Sequence, residues 1–75
     1  MEWASVATIG ERIRHRRKEL GLTQKQLADK LGVRYQTVQA WERNARNPKP
    51  ETVKKFAEAL DVSANWLIYG EGDPD

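Results

Sequence analysis

An all-α domain of five short helices is the fold class this sequence predicts, on three observations. Apolar residues recur at helical spacing, cap and breaker residues bound the segments that carry them, and no stretch alternates with period two. The 75 residues suffice for one domain, near the lower size at which a single core holds. The spacing predicts helices over roughly 9–20, 24–31, 35–43, 51–60 and 64–69. Residues 1–7 read as an N-terminal arm, 8–70 as the domain and 71–75 as an acidic tail. There are no internal repeats and no low-complexity tracts.

The arm shows no clear period. Trp3 and Val6 are apolar, and Trp3 is either a plug for a surface groove or an exposed terminal residue. Thr8-Ile9-Gly10-Glu11 has the pattern of a capping box, so the first helix starts at Ile9. Ile9, Ile13 and Leu20 share its inward face with Arg17 at the margin, while Arg12, Arg14, Arg16 and Lys18 spread around the rest. These four are either a solvated basic surface or, for one or two of them, phosphate contacts. Gly21 ends the helix and Leu22 plugs the core. Thr23 and Gln26 form a second capping box, with Leu27, Ala28 and Leu31 inward and Gly32 at a left-handed C-terminal position.

A third helix then starts near Arg34 or Tyr35. The second and third make two short helices across a tight turn, a helix-turn-helix pattern. At about 100° per residue, Tyr35, Gln36, Gln39 and Arg43 occupy one outward sector, opposite Val38, Trp41 and Glu42. That sector is rich in planar amides and carries a guanidinium. Gln pairs bidentately with adenine, and Arg with guanine or phosphate. A face that was merely solvated would more often mix Glu with Lys. Arg17 and Glu42 each lie at the edge of an inward stripe, which predicts a partly buried, bidentate ion pair that orients the third helix. The other reading sends Arg17 to a phosphate.

Asn44 occupies a left-handed cap position where Gly is commoner, and the following loop, stiffened by Pro48 and Pro50, carries Arg46 and Lys49. Pro50 or Glu51 opens the fourth helix, with Val53, Phe56, Ala57 and Leu60 inward until Asp61 breaks it. Ser63 caps the fifth, with Ala64, Leu67 and Ile68 on one face and Trp66 in the core.

The net charge of +2 hides a segregation. Residues 1–55 hold all 13 Lys and Arg against 6 acidic residues, whereas 56–75 hold no basic residue and 5 acidic ones. One face suited to polyanions follows from that split. With no Cys and His15 the single histidine, a His/Cys zinc site is excluded, and no cofactor is expected. No apolar run approaches the length of a membrane span and no signal-peptide core appears, so a cytoplasmic, nucleoid-associated protein is expected, with no membrane partner. No nucleophile–base or carboxylate pair sits at a workable spacing, which argues against an enzyme and against a small-molecule substrate.

The stretches GLTQKQLA, VQAWER and ANWLIYGEG, within a run from Ile9 to Gly72, resemble the DNA-binding domain of lambdoid phage repressors and Cro-type regulators. The resemblance implies a five-helix domain that binds double-stranded operator DNA as a symmetric homodimer. By position it implies that Gln24 meets a phosphate through its backbone amide while its side chain braces the reading helix. Tyr35 and Gln36 fall at base-reading positions, Thr37 at a backbone-contacting one, and Gln39 and Ala40 further along the reading helix. Arg43 falls where the helix end meets phosphate, and Arg17 and Glu42 match the family's structural ion pair. Arg34 joins the DNA-binding set, as does Arg46 if its loop follows the DNA backbone and is not only a spacer. Pro50, Ala64 and Leu67 fall where the family's protomers meet. Tyr35 is larger than the usual reader, Ala40 leaves only an apolar contact to thymine, and Asn44 and Asp61 replace common glycines.

The function expected from all this is transcriptional repression by operator occupancy. An antitoxin or a restriction-modification controller would use the same domain, and a protein-interaction module that has lost DNA binding is the reading from another class.

Overall fold

The computed structural model describes residues 8–70; expectations for Trp3 and the segment 1–7, and for the tail 71–75, fall outside them. Five helices occupy the described chain: α1 (Ile9–Glu19), α2 (Gln24–Leu31), α3 (Tyr35–Glu42), α4 (Pro50–Leu60) and α5 (Ala64–Tyr69). No strand occurs among the described residues. Against the sequence expectation, α1 and α3 each stop one residue early, with Leu20 and Arg43 as caps, and α4 begins on Pro50.

Local chemistry explains where the helices start. The Thr23 hydroxyl accepts the Gln26 N–H at 3.0 Å while the Gln26 side-chain oxygen accepts the Thr23 N–H at 2.8 Å, the reciprocal pair of a capping box. At α1 the Thr8 hydroxyl accepts the Glu11 N–H at 3.1 Å and donates to the Glu11 carboxylate at 3.0 Å, a variant of the same device. The Ser63 hydroxyl accepts from the Trp66 N–H to start α5.

The first four helices end alike. The residue at positive φ donates to the carbonyl three back, and the next residue donates to the carbonyl five back, which is the Schellman arrangement. The second bond runs Leu22→Arg17, Val33→Ala28, Ala45→Ala40 and Val62→Ala57, all within 2.9–3.0 Å. Gly21 and Gly32 supply the positive φ in two of these turns, Asn44 (φ 59°) and Asp61 (φ 55°) in the others. Asn and Asp tolerate this region better than other L-residues. An apolar residue follows each turn, and Leu22, Val33 and Val62 are half-buried by the chain reversal.

The core gathers Ile13, Leu27, Ala28, Val38, Trp41, Val53, Phe56, Ala57, Leu60, Trp66 and Leu67 from all five helices. At its centre the Trp41 and Phe56 rings meet edge to face, with centroids 4.7 Å apart. One inward assignment from periodicity is corrected: Leu20 is 40 % exposed, because it lies past the last turn of α1. Ile68, grouped on one face with Leu67, is also 40 % exposed, whereas Leu67 is wholly buried.

The reading of Arg12 and Arg16 as surface cations or phosphate contacts also fails. Arg12 is 5 % exposed, and its guanidinium donates to the Leu67 and Ile68 carbonyls at 2.7 and 2.9 Å. Arg16 donates to the Leu60 carbonyl at 2.9 Å. One turn apart on α1, they satisfy the orphan carbonyls at the ends of α5 and α4. Desolvation holds the Arg12 guanidinium below its ordinary pKa, partly offset by the Glu11 charge.

Gly10 marks the closest approach of α1 to the end of α3. A β-carbon there would lie 2.4 Å from the Trp41 carbonyl oxygen and 2.7 Å from that of Glu42. Both obstacles are backbone and cannot swing aside. Gly10→Ala is therefore expected to destabilise the domain by roughly 1–3 kcal/mol, the usual cost of overpacking, read as a lower urea midpoint at unchanged slope.

Candidate nucleic-acid interface

The third helix has two unlike sides. Val38 is wholly buried and Trp41 is 8 % exposed, so its back is fixed in the core. Tyr35, Gln36 and Arg43 are exposed on the other side, with Thr37, Gln39 and Ala40 half-buried between them. Eight residues span about 12 Å, close to the width of a B-DNA major groove.

The one carboxylate of α3 is withdrawn from that surface. Glu42 is 8 % exposed and accepts from Arg17 Nε at 2.6 Å and from a terminal Arg17 nitrogen at 3.1 Å. The remaining Arg17 nitrogen donates to the Leu22 carbonyl at 2.8 Å, and the Gln24 side chain donates to Glu42 at 3.1 Å. The predicted bidentate pair is present, and with it the predicted brace from Gln24. Every Arg17 nitrogen is thus engaged within the protein and the residue is 8 % exposed, which favours the internal pair over a phosphate contact. Among the described residues, no buried side-chain polar atom lacks a partner.

A second tie holds the same end of α3. Asn44 accepts the Gly10 N–H at 3.1 Å and donates to the Thr8 hydroxyl at 3.0 Å. A glycine there would allow the turn but make neither bond, which is why Asn replaces the commoner residue.

Cationic clefts flank the outward face. On one side Arg14, Arg17, Gln24, Gln39, Glu42 and Arg43 line a shallow depression. On the other, Arg34 and Arg46 border one with Gln36, Thr37 and Ala40. The surface therefore presents amides, a hydroxyl and a methyl between two guanidinium-bearing edges. That arrangement suits base edges in a groove bounded by two phosphate strands. The Gln24 backbone N–H lies at the first position of α2, where no carbonyl within the helix can accept it.

Of the residues singled out from sequence, Gln24, Gln39 and Arg43 line the first of these depressions, Arg34, Gln36, Thr37, Ala40 and Arg46 the second, and Tyr35 a third that shares Arg34 and Gln36 with it. One contributor left open by the sequence is settled in place and another was missed. Arg14, read as either surface cation or phosphate contact, borders the depression beside Gln39 and Arg43. Lys25 sits beside Gln24 at the start of α2 and places its ammonium 5.4 Å from the centre of the Tyr35 ring. The group assigned to self-contact needs correction. Leu67 is wholly buried and has no surface to offer a second copy. Pro50 is exposed and Ala64 half-buried, and the exposed apolar side chain on α5 near Pro50 is Ile68, which shares a groove with Ile9, Pro48, Pro50 and Val53. Among the described residues no cluster of three or more His, Cys, Asp or Glu could hold a metal, and no helix is long and apolar enough to cross a membrane.

Glu42→Ala strands the Arg17 guanidinium in a buried site, and a loss of about 3–5 kcal/mol is expected in denaturant unfolding. Replacing both partners with Met and Leu recovers a large part of that loss, because a buried charge without a partner costs more than a missing pair.

A family model described as helix-turn-helix matches residues 13–67. The transcriptional regulator DicA of Escherichia coli (strain K12) is 39% identical over 66 residues, which cover 88% of this chain and 49% of DicA. Among solved structures, the P22 c2 repressor in complex with a synthetic operator matches with a TM-score of 0.78 at 36% identity, covering 88% of this chain and 97% of that one. SinR of Bacillus subtilis in complex with DNA matches with a TM-score of 0.75 at 39% identity, covering 80% and 97%. The chain spans about half the length of DicA and 29% of the full repressor protein C2 of Salmonella phage P22. On the fold, the residues that match and the extent of the match, the chain belongs to the helix-turn-helix family that includes the DNA-binding domains of phage repressors.

Proposed function

We propose that the chain binds operator DNA sequence-specifically and regulates transcription, most simply as a repressor that excludes polymerase by occupancy. The observation that carries this reading is the outward face of α3. It is polar, exposed and free of carboxylate, yet rigidly backed by Val38 and Trp41. In the proposed complex α3 lies in the major groove. Gln36 and Tyr35 read base edges, Gln39 and Ala40 extend the reading, and Thr37 meets the backbone. Arg34, Arg43, Arg46 and the first amide of α2 meet phosphates. Two relatives solved in complex with an operator or other DNA support DNA binding.

A domain whose longest extent is 30 Å reads few bases alone. Two copies on half-sites about 34 Å apart fit side by side along one face of a duplex. In this reading the homodimer forms on DNA, with the copies touching through Pro50, Ala64 and the exposed Ile68.

Selection of bound sites from random duplex DNA at two salt concentrations tests the proposal. The expected result is a two-fold symmetric sequence with half-sites one helical turn apart. Recovery of unenriched DNA, or binding indifferent to salt, overturns it. On the selected duplex, Gln36→Ala is expected to lower the specific advantage over random DNA by ~1–3 kcal/mol. Arg43→Ala is expected to weaken selected and random duplexes alike and to reduce the slope of log K against log salt by about one.

A further inference from the structure

We propose that Lys25 is a positioning residue for Tyr35, fixing the ring at the entrance to the reading face so that Tyr35 contributes to sequence discrimination. The proposal deepens the operator-binding reading above and rests on it.

The geometry comes first. Lys25 belongs to α2 and Tyr35 to α3, and the ammonium lies 5.4 Å from the ring centre, inside the range at which a cation is held by an aromatic face. The two line a shallow cleft at the turn of the motif together with Ala28, Asp29, Val33, Arg34 and Gln36. The contact therefore crosses between the supporting helix and the reading helix at the reading helix's first residue.

The position of Lys25 is the second observation. With Thr23 as cap, Lys25 is the second residue of α2, where the positive end of the helix dipole disfavours a cation. The first turn of α2 contains no acidic residue to offset it. The electron-rich face of Tyr35 supplies a negative partner at that turn, in a cleft that Asp29, one turn on, also lines.

The third is what the ring needs. Tyr35 is 37 % exposed and begins α3 after a cap residue, Arg34, that makes no side-chain capping bond. Packing alone leaves such a ring a choice of rotamers, and a mobile ring discriminates poorly between bases. Seating one face on Lys25 leaves the opposite face, the ring edge and the hydroxyl for the duplex. A ring so placed offers an apolar edge to a thymine methyl or a hydroxyl to a base-edge acceptor.

The test uses the whole chain and the duplex that the wild-type protein selects. Lys25→Met keeps the aliphatic stem and removes the charge. It is expected to lower the ratio of selected to random affinity about two- to fivefold, the range for an exposed cation on an aromatic ring. Lys25→Arg restores the ratio, and in a Tyr35→Leu background Lys25→Met no longer changes it. In the free protein, the Lys25 ε-methylene protons resonate upfield through the ring current, and Tyr35→Leu abolishes that displacement. Equal weakening of both duplexes by Lys25→Met, with a salt slope lower by about one, makes Lys25 a phosphate contact and overturns the proposal. An undisplaced ε-methylene signal overturns it too. If the wild-type protein selects no site, the operator reading fails and takes this one with it, and the ring-current measurement still reports whether the contact exists.

Discussion

The orientation of α3 hangs on the bond between Arg17 and Glu42. Helix burial fixes which side of α3 faces inward but tolerates small rotations and slides, and groove recognition does not. A bidentate guanidinium–carboxylate pair has one good geometry. Here the third Arg17 nitrogen is held by the Leu22 carbonyl and the free side of Glu42 by Gln24, so a single network joins α1, the α1–α2 turn, the start of α2 and the end of α3. Such a pair adds little net stability, since desolvating two charges consumes most of what their attraction returns. Its value lies in register, and in removing the only carboxylate of α3 from the surface proposed to meet DNA.

The rest of the fold supports that arrangement from the other direction. Asn44 ties the end of α3 to the start of α1, across the gap that Gly10 keeps open by lacking a side chain. Arg12 and Arg16 then bind α5 and α4 to the far side of α1 through carbonyls at their ends. The first helix is thus the frame on that side, packing against α3, α4 and α5. Five basic residues close together on one helix look like an electrostatic patch. Three of them, Arg12, Arg16 and Arg17, are internal fasteners, and the exposed Arg14 opens onto the candidate interface.

That division explains what could be read in advance and what could not. Helix positions followed from caps and breakers, because Thr23, Gln26, Gly32, Asn44 and Asp61 act through bonds to their own neighbours. The Arg17–Glu42 pair followed from two charged residues at the margins of apolar stripes, a local signal on each helix. The acceptors of Arg12 and Arg16 lie 44 to 56 residues away in sequence, and no local pattern points to a carbonyl. The same limit applied to Leu67 and Ile68. Adjacent apolar residues on a six-residue helix differ by about 100°, and only the packing of α5 against α1 and α4 decides which is buried.

Stability and recognition therefore compete for very little of this chain. A helix of eight residues is too short to be stable alone, so α3 exists because the core holds Val38 and Trp41. Every residue spent on that anchorage is unavailable to touch a ligand. What remains is Tyr35, Gln36, Thr37, Gln39, Ala40 and the terminal cations, few enough that the conformation of each side chain counts. Under that constraint, contacts which freeze a reading side chain before binding are worth as much as additional contacts made on binding, because a preorganised group loses less entropy when it docks. The Gln24 side chain braces Glu42 at the end of the helix, and in the proposal above the Lys25 ammonium holds the Tyr35 ring at its start. Both come from adjacent residues in the first turn of α2, which makes that turn the organiser of the reading surface as well as one edge of it.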